Sequence, residues 1–465
     1  MLDERQKGTG TRTCGAAMAA ITQGFRCRKS ECLSPLYILL ALIALVGCAG
    51  HPTVQRACGP IDQQVYVWQR SWDGSVQESL RRSDPKPAEI VVLGGEISFD
   101  EGAPKIARVA IDYDSLKETG IPVGVALRIG PYPGPFSSED ETRLLLRRTA
   151  SDLVNEASRC GVTVKELQID FDCAESKLGG YFLWAAAMKV EVAPVPVTIT
   201  VLPTWLKRKE FRMLAEASKD AGGYVLQVHS LEAPENINDP FSLCDPAKSR
   251  EWIEQAGKLG IPFRVALPTY GYMMTFTRAG DFAGLGAEGI VTCPPGMQTR
   301  EVRSDPVAMA DLVAALTKDR PENLTGLIWY RMPVETDTLN WPWETLKAVM
   351  EGRAPVSSIR AEVVKKEEGL VDIELVNDGE TDELPNIFIS ISWGSGRPLA
   401  FDVLRDFTVA DQDPFSLELK IAPPDSVPIS SGPGERIGPG ERWLVAWLRF
   451  EIDTEVEVNV SEIPH

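Results

Sequence analysis

The chain has 465 residues and a formal net charge of -18 at pH 7. That length suits one large domain with a smaller one, and the negative charge argues against nucleic acid or an anionic membrane surface as a partner. With three histidines and no Cys-x-x-Cys pair, the composition excludes a histidine-rich metal site and does not indicate zinc. We therefore expect no metal and no cofactor.

The N-terminus has the pattern of a targeting segment. Arg26, Arg28 and Lys29 precede the apolar run 36–46, which is too short to span a bilayer but has the length of a signal-peptide core. The run ends in Leu45-Val-Gly-Cys48, which resembles the lipobox of bacterial lipoproteins, where the cysteine is lipidated and becomes the first residue. The alternatives are a plain secretory signal or a poor transmembrane helix.

These features predict a lipoprotein signal peptide over residues 1–47, with Met1 or Met18 as the start, and a linker over residues 48–63. A lipidated Cys48 would be the only membrane contact. The residue after the cysteine is Ala49 rather than Asp, which resembles the pattern of lipoproteins that are sorted to the outer membrane. We therefore expect a cell-envelope protein, an outer-membrane lipoprotein that faces the periplasm or the exterior.

Five cysteines follow Cys48. In an oxidising compartment some of them could form disulfides, but an odd number leaves at least one thiol free. They are Cys58, Cys160, Cys173, Cys244 and Cys293.

A strand-and-helix pattern repeats eight times from Gln64 to about Arg353. Glycines such as Gly120, Gly161 and Gly260 end a helical segment before the next strand. The eight apolar runs are Val65–Trp68, Ile90–Leu93, Val123–Ile129, Leu167–Phe171, Val197–Leu202, Tyr224–Val228, Phe263–Leu267 and Leu327–Tyr330. The pattern predicts an α/β fold, a (β/α)₈ TIM barrel over residues 64–355. A doubly wound open sheet is the alternative, weakened because no Gly-x-Gly-x-x-Gly turn follows a strand.

Residues 356–465 have a different character. Strand-like runs are separated by turns such as Asn377-Asp-Gly and Gly394-Ser-Gly, with no helical segment between them. This pattern predicts a small all-β, immunoglobulin-like sandwich. Its simplest role is to pack against the barrel or to space it from a partner.

The fourth run ends in two carboxylates. Strict alternation places Gln168, Asp170 and Asp172 on one face, which in a barrel points into the lumen. Because burial of an unpaired carboxylate costs several kcal/mol, these aspartates belong at the open C-terminal mouth, where ligands bind. The alternative is that Asp172 only caps the following helix, 175–188. Two aspartates on one face favour a site.

Other polar and aromatic side chains converge on the same mouth if the barrel forms. Aromatic rings stack on the apolar faces of sugar rings, while carboxylates and amides bind hydroxyl groups. The predicted substrate-binding residues are Trp68, Arg70, Glu96, Arg128, Gln168, Trp205, His229, Tyr270, Tyr272, Trp329, Arg331 and Glu335. The set indicates a polysaccharide or an oligosaccharide as the partner.

Three strands resemble those of chitinase-type glycoside hydrolases (family 18). Leu167-Gln-Ile-Asp-Phe-Asp172 is similar to the fourth-strand motif of that family, Asp-Gly-hydrophobic-Asp-hydrophobic-Asp-aromatic-Glu. Ala266-Leu-Pro-Thr-Tyr-Gly-Tyr272 resembles its seventh strand, and Leu327-Ile-Trp-Tyr330 its eighth, with a subsite tryptophan. More narrowly, the chain resembles a bacterial domain-of-unknown-function family, number 3142, which is placed among such barrels.

The resemblance implies roles for individual residues and also shows departures. Asp172 falls where the family has its general-acid Glu, and Asp170 where it has a helper Asp. Gln168 stands where the family has another Asp, and His229-Ser230 stands in place of Tyr-Asp. A partner carboxylate across the mouth would then be Glu96, Glu232 or Glu335.

Three functions follow as hypotheses. The leading one is a lipid-anchored envelope glycoside hydrolase acting on a polysaccharide, with Asp172 as general acid tuned by Asp170. The second is a non-catalytic carbohydrate-binding lipoprotein on a decayed hydrolase barrel. The third is a structural envelope protein whose sandwich contacts a partner.

Overall fold

The structure is a computed structural model that describes residues 54–83, 85–100, 103–136, 141–219, 222–229, 233–287, 296–383, 386–421 and 435–462. The predicted signal peptide, Cys48, Glu232 and Cys293 lie outside these residues. Within the described ranges, no helix has both the length and the apolar character needed to cross a membrane.

Eight parallel strands close into a barrel. They are β1 (Asp62–Val67), β2 (Glu89–Asp100), β3 (Val123–Ile129), β4 (Val164–Phe171), β5 (Val197–Val201), β6 (Tyr224–Gln227), β7 (Phe263–Pro268) and β8 (Leu324–Tyr330). Each strand pairs in parallel with the next, and β8 pairs in parallel with β1. The predicted TIM barrel is therefore confirmed. The open-sheet alternative is wrong because the ring of strands is closed.

One α-helix follows each barrel strand in the described chain. They are α1 (Gly74–Arg82), α2 (Tyr113–Thr119), α3 (Glu141–Arg159), α4 (Leu178–Glu191), α5 (Lys209–Ala217), α6 (Pro246–Gly257), α7 (Pro306–Lys318) and α8 (Trp343–Met350). Four of them start at an aspartate whose side chain accepts hydrogen bonds from the free backbone N–H groups of the first turn. These aspartates are Asp73, Asp112, Asp245 and Asp305.

Alternation along each strand separates two apolar cores. On β4, Leu167, Ile169 and Phe171 point outward into the large core between the strands and the helices. Residues on the other face of each strand, such as Val91 on β2 and Ile328 on β8, form a smaller cluster inside the barrel. The outward face predicted for β4 is therefore the observed one.

Charged side chains fill another part of the lumen. The Glu166 oxygens accept hydrogen bonds at 2.8 Å from Nη1 and Nη2 of Arg264, and Oε2 also accepts one from Thr198 at 2.7 Å. Glu89 lies 3.9 Å from Arg264 and 3.2 Å from Lys165. Burial raises the pKa of Glu89 to about 7, with repulsion from Glu166 adding to the shift. Burial opposes ionisation of Glu166 as well, but Arg264 outweighs it and lowers the pKa of Glu166.

Short strands extend the barrel at two connections. Ala103–Arg108 pairs antiparallel with the end of β2. After β7, the central strand Gly271–Phe276 pairs antiparallel with Phe282–Gly286 and with Gln298–Arg303. This three-stranded sheet stands beside the mouth of the barrel, because its central strand begins three residues after β7 ends.

Eight further strands form two antiparallel sheets after the barrel. They are β9 (Ile359–Glu367), β10 (Leu370–Asn377), β11 (Ile387–Trp393), β12 (Pro398–Val403), β13 (Phe407–Gln412), β14 (Ser416–Ile421), β15 (Arg442–Phe450) and β16 (Val456–Glu462). The sheet orders are β9-β10-β15-β12 and β13-β14-β11-β16. Buried residues of both sheets share one core, which includes Ile373 and Leu448 from one sheet and Ile389 and Leu419 from the other. The predicted small all-β domain is confirmed, and β12 and β13 are strands that the sequence pattern missed.

Ion pairs connect the all-β domain to the barrel. Asp382 accepts a hydrogen bond from Arg303 at 3.1 Å and another from Arg436 at 2.7 Å. Arg303 ends the strand that pairs with Gly271–Phe276. A second connection joins Arg353, shortly after α8, to Glu380 at 2.6 and 2.7 Å.

The described cysteines are free thiols. Cys58 and Cys160 are exposed, whereas Cys173 and Cys244 are buried. Cys173 packs in the large core and Cys244 lies next to Ser249.

Candidate active site

A cavity of about 370 Å³ opens at the C-terminal ends of the strands. This is the end of a TIM barrel where ligands bind. Nine of its lining residues were not among the predicted site residues. Ala233 and Phe241 come after β6, and the other seven lie at strand ends or at the sheet after β7. They are Tyr66, Thr200, Gln227, Ala266, Leu285, Ala287 and Tyr330. The predicted residues that line it are Trp68, Arg128, Asp170, Asp172, His229, Tyr270 and Tyr272.

Asp170 forms the floor of the cavity and is held firmly. Its Oδ1 accepts a hydrogen bond from Thr200 at 2.8 Å and another from Gln227 at 3.0 Å. Its Oδ2 lies 3.9 Å from Nε of Arg128. Burial raises the pKa of Asp170, although these three neighbours favour the charged form and oppose the shift. Asp170 is therefore a positioned, partly desolvated carboxyl group.

Asp172 follows β4 and is exposed to the cavity. No described side chain donates a hydrogen bond to it. Desolvation by the cavity walls raises the pKa of Asp172 to about 6, repulsion from Asp170 adds to this, and Arg128 opposes it. An aspartic acid with this pKa holds a proton in mildly acidic solution, as a proton donor must.

The capping alternative for Asp172 is wrong. The short 3₁₀ turn Glu175–Lys177 begins after Ala174, and α4 begins after Lys177. Neither start receives a side-chain capping hydrogen bond. Asp172 is thus not used to complete a helix end, and its carboxyl group is available to the cavity.

A row of charges leads from Asp170 to the rim of the barrel. Glu96, Arg128 and Asp170 are cross-strand neighbours on β2, β3 and β4. Glu96 lies 3.4 Å from Arg128 and accepts hydrogen bonds from Arg70 at 2.7 and 2.9 Å. Burial works against the charge on Glu96, but the two arginines lower its pKa overall. Glu96 therefore stays ionised, and its negative charge adds to the burial that raises the pKa of Asp170.

Aromatic rings form one wall of the cavity. Trp68 and Tyr330 contact each other edge to face, with ring centroids 5.3 Å apart, and Tyr270 lies 5.4 Å from Tyr330. The hydroxyl groups of Tyr270 and Tyr272 are 3.0 Å apart. Trp68 is buried and its Nε1 has no hydrogen-bond partner in the described chain. Tyr272 and Tyr330 are only half-buried, so a ligand in the cavity can contact their rings.

His229 lies at the end of β6 and lines the cavity. Desolvation lowers its pKa to about 4. The imidazole is neutral above that pH and can serve as a hydrogen-bonding group rather than as a cation.

Gln168 lies one layer below the cavity. Its Oε1 accepts a hydrogen bond from Tyr66 at 2.7 Å, and its Nε2 donates one to Glu166. Gln168 thus connects the cavity wall to the buried Glu166–Arg264 pair. It is buried, so its position favours support of Tyr66 rather than contact with a ligand.

Two predicted tryptophans lie elsewhere. Trp329 on β8 is fully buried in the core between the strands and the helices. Its Nε1 donates a hydrogen bond to Gln63 at 2.7 Å, and its ring packs near Trp341. Trp205 is buried in the turn Pro203–Lys207 and packs near Tyr181. Neither lines the cavity, because Trp329 has the outward parity of its strand and Trp205 anchors the turn. At the end of β8 the ring in the cavity is that of Tyr330.

The remaining predicted residues surround the cavity without lining it. Arg331 is buried, with its Nε 2.7 Å from Asp337 and its guanidinium over the ring of Tyr270. It therefore supports the aromatic wall. Glu335 is exposed in the loop after β8 and lies outside the cavity lining. Arg70 and Glu96 stand behind Arg128.

A family model for a domain of unknown function, DUF3142, matches residues 92–335, just over half of the chain. The chain belongs to DUF3142. The predicted membership is thus confirmed, and the match covers strands β3 to β8 with both aspartates. A comparison with curated proteins found no match.

Solved structures similar to this DUF3142 chain include chitinases. A chitinase from Chromobacterium violaceum is 13% identical in sequence, with a TM-score of 0.43. The match covers 62% of this chain and 99% of the chitinase chain. The spore cortex-lytic enzyme SleL from Bacillus cereus is 11% identical, with 64% and 75% covered and a TM-score of 0.43. A chitinase from Bacillus thuringiensis is 8% identical, with 86% and 100% covered and a TM-score of 0.41.

The described part of this DUF3142 chain contains no cluster of three or more His, Cys, Asp or Glu side chains that could hold a metal ion. The charged residues that line the cavity there are Arg128, Asp170 and Asp172. These three side chains can transfer protons, stabilise charge and form hydrogen bonds with a ligand.

Proposed function

We propose that this chain is a glycoside hydrolase that acts on a polysaccharide of the cell envelope, with Asp172 as the general acid. The proposal rests on the accessibility of the Asp172 carboxyl group together with its raised pKa. Its carboxyl group is exposed to the cavity, free of hydrogen bonds from described side chains, and its pKa is raised to about 6. A general acid needs this access and a pKa close to the working pH.

In the proposed reaction, Asp172 donates its proton to the glycosidic oxygen as the bond from that oxygen to the anomeric carbon breaks. The bonding electron pair stays on the oxygen, which leaves as a hydroxyl group, and positive charge develops on the sugar ring. Water then adds its oxygen to the anomeric carbon. The proton that water loses returns to Asp172 directly or through solvent.

Asp170 stabilises the positive charge that develops on the sugar. Thr200 and Gln227 fix its orientation, so little reorganisation is needed during the reaction. Its negative charge also helps to keep the proton on Asp172 until the substrate takes it.

The aromatic wall supports a sugar as the ligand. Tyr272 and Tyr330 line the cavity and are only half-buried, and the hydroxyl group of Tyr272 lies 3.0 Å from that of Tyr270. This mixture suits a sugar ring, which has apolar faces and polar edges. The similarity of β4, β7 and β8 to family 18 glycoside hydrolases agrees with this choice.

The envelope location rests on the N-terminal sequence. Leu45-Val-Gly-Cys48 follows an apolar run of signal-peptide length, and we propose that Cys48 carries the lipid. The anchor would hold the barrel near polysaccharides of the envelope.

The test is a screen of the purified protein, from residue 49 onward, against envelope and plant polysaccharides. Release of reducing ends is measured for the wild type and for Asp172→Asn. Release by the wild type with a loss of at least about a hundredfold in the variant supports the proposal. Release by neither protein, with sugar binding retained by both, contradicts it.

A second candidate function is carbohydrate binding without hydrolysis. Thr200 and Gln227 fix Asp170, but no described side chain fixes the Asp172 carboxyl group at the position that a proton donor must occupy. An Asp is also one methylene shorter than the family 18 Glu, and misplacement by about 1 Å can cost about a hundredfold in rate. Binding with no reducing-end release in the same screen identifies this function.

A further inference from the structure

A second, larger groove of about 1030 Å³ lies beside the cavity. Ala233 and Phe241 line both, so the groove continues the cavity. Ligand sites usually have volumes of about 300–1000 Å³, which places the cavity near the lower end and the groove near the upper end. A ligand that fills both must be long.

One wall of the groove is a single face of α6. Lys248, Trp252 and Gln255 recur at spacings of four and three residues, so their side chains project on the same side of the helix. Trp252 is half-buried and packs against the large core, which fixes its ring. The ring is thus a rigid platform of the kind that stacks on a sugar.

The opposite wall is the turn Pro203–Lys207 after β5, which contributes Thr204 and Lys207. Lys207 and Lys248 are both exposed, and neither ammonium group is paired with a carboxylate in the described part of the chain. The described residues that line the groove include two carboxylates, and both already have partners.

Glu175 pairs with Arg208. Asp245 accepts hydrogen bonds from the backbone N–H groups of Ala247 and Lys248 at 2.9 and 3.2 Å. The described lining therefore carries three cationic side chains, Lys207, Arg208 and Lys248, against two carboxylates, which is a net charge of +1 on a chain whose net charge is -18. At physiological salt the screening length is about 8 Å, so these lysines rather than the distant acidic residues govern a ligand in the groove.

We infer that the groove binds the part of the polysaccharide that extends beyond the cavity and selects chains whose sugars carry carboxylate groups. The choice of a polysaccharide rests on the proposed function, whereas the preference for carboxylates rests on Lys207 and Lys248. Trp252 supplies the stacking surface, and the two ammonium groups bind the carboxylates.

The test is calorimetric binding of oligosaccharides prepared from polygalacturonate, alginate and hyaluronan. The matched ligands are the same oligosaccharides after chemical reduction of their carboxyl groups to alcohols, which keeps length and linkage. The wild type should bind at least one acidic ligand more tightly than its reduced form. The double variant Lys207→Gln/Lys248→Gln should weaken that binding by about threefold to twentyfold and remove the preference.

Lys258→Gln is the matched control, because Lys258 follows the same helix, is exposed and lies outside the groove lining. It should bind like the wild type. Trp252→Leu should weaken both ligand forms, and an unchanged melting temperature shows that it is folded. Equal affinity for acidic and reduced ligands, equal affinity of the double variant and the control, or no binding at all would overturn the inference.

The outcomes separate this inference from the proposed function. If the wild type binds acidic chains through Lys207 and Lys248 but does not hydrolyse them, the proposed hydrolase function is refuted and the inferred role of the groove stands. If hydrolysis depends on Asp172 but the KM for acidic chains is the same in the double variant and the control, the hydrolase function stands and the inferred role of the groove is refuted.

Discussion

Asp170 lies on β4 and Asp172 directly follows the strand; both line the cavity, but only Asp170 is fixed by hydrogen bonds from neighbouring side chains. Thr200 and Gln227 both donate to Asp170, whereas Asp172 is exposed to the cavity. The two carboxyl groups therefore have different capacities. Asp170 can hold a charge in a fixed place, and Asp172 can reach a substrate and exchange a proton with it.

Asp172→Asn should abolish most of the turnover and keep substrate binding. The amide is nearly isosteric but has no proton to donate, so kcat should fall by about 10²–10⁴ while the Kd for an oligosaccharide changes little. The control is Asp152→Asn on the exposed side of α3, which should leave kcat unchanged. Full activity in Asp172→Asn would mean that another group is the acid.

The pH profile should report the proton on Asp172. Because its pKa is about 6 and the acid must be protonated, kcat/KM should fall as the pH rises above about 6. Asp170→Asn removes the repulsion that helps to raise this pKa, so the descending limb should move to lower pH. Desolvation is the larger cause, so part of the shift should remain. A limb that stays in place in Asp170→Asn would show that the two groups are not coupled.

Arg264→Met should strongly destabilise the barrel. The substitution leaves Glu166 buried without its bidentate partner, which typically costs about 3–5 kcal/mol. Thermal and urea unfolding measure the loss. Arg81→Met is the control, because Arg81 is exposed on α1 and pairs with the exposed Glu78, for which a change below about 1 kcal/mol is expected. Equal stability of the two variants would contradict a structural role for the buried pair.

Glu89 should make stability fall as the pH rises. Its pKa is about 7 in the folded chain and near 4.5 in the unfolded chain, so the folded state binds the proton more tightly. The stabilisation is complete below about pH 4.5 and is lost as the pH rises through about 7, on the order of 3 kcal/mol. Glu89→Gln should flatten this dependence in urea unfolding between about pH 5.5 and 7.5. Exposed Glu118→Gln on α2 is the control and should keep the slope of the wild type.

Cys48→Ser should release the protein from membrane fractions. The prediction rests on the lipobox-like Leu45-Val-Gly-Cys48, because a serine cannot receive the thioether-linked lipid. Cell fractionation with an antibody against the barrel measures the distribution. Cys58→Ser, ten residues further along, is the control and should stay with the membrane. Membrane association that persists in Cys48→Ser would exclude a lipid anchor at this residue.

The barrel and the position of the two aspartates were predictable from sequence because they depend on periodicity. Alternation along β4 separates Leu167 and Ile169 from Asp170 without reference to the rest of the chain. The strand ends were harder. Leu327-Ile-Trp-Tyr330 is apolar throughout, so alternation does not show which ring faces the lumen, and Tyr330 rather than Trp329 lines the cavity.

The support of the site was not predictable in the same way. Thr200 holds Asp170 across 30 residues of sequence, and Arg264 meets Glu166 across 98. Such pairs are decided by strand register and by the closure of the barrel, which local patterns do not contain. One signal was present: Glu166 has the same parity as Gln168 and Asp170, which places a further carboxylate in the lumen.

The link between Arg303 and Asp382 bears on how this family can be engineered. Arg303 is the cross-strand neighbour of Gly271, and the next residue, Tyr272, lines the cavity. The all-β domain thus forms an ion pair with the sheet that contributes part of the cavity wall. A chimera that exchanges the C-terminal domain should therefore carry an acidic residue at the position of Asp382. Without it, Arg303 loses a partner and the graft changes a wall of the ligand site that lies in the other domain.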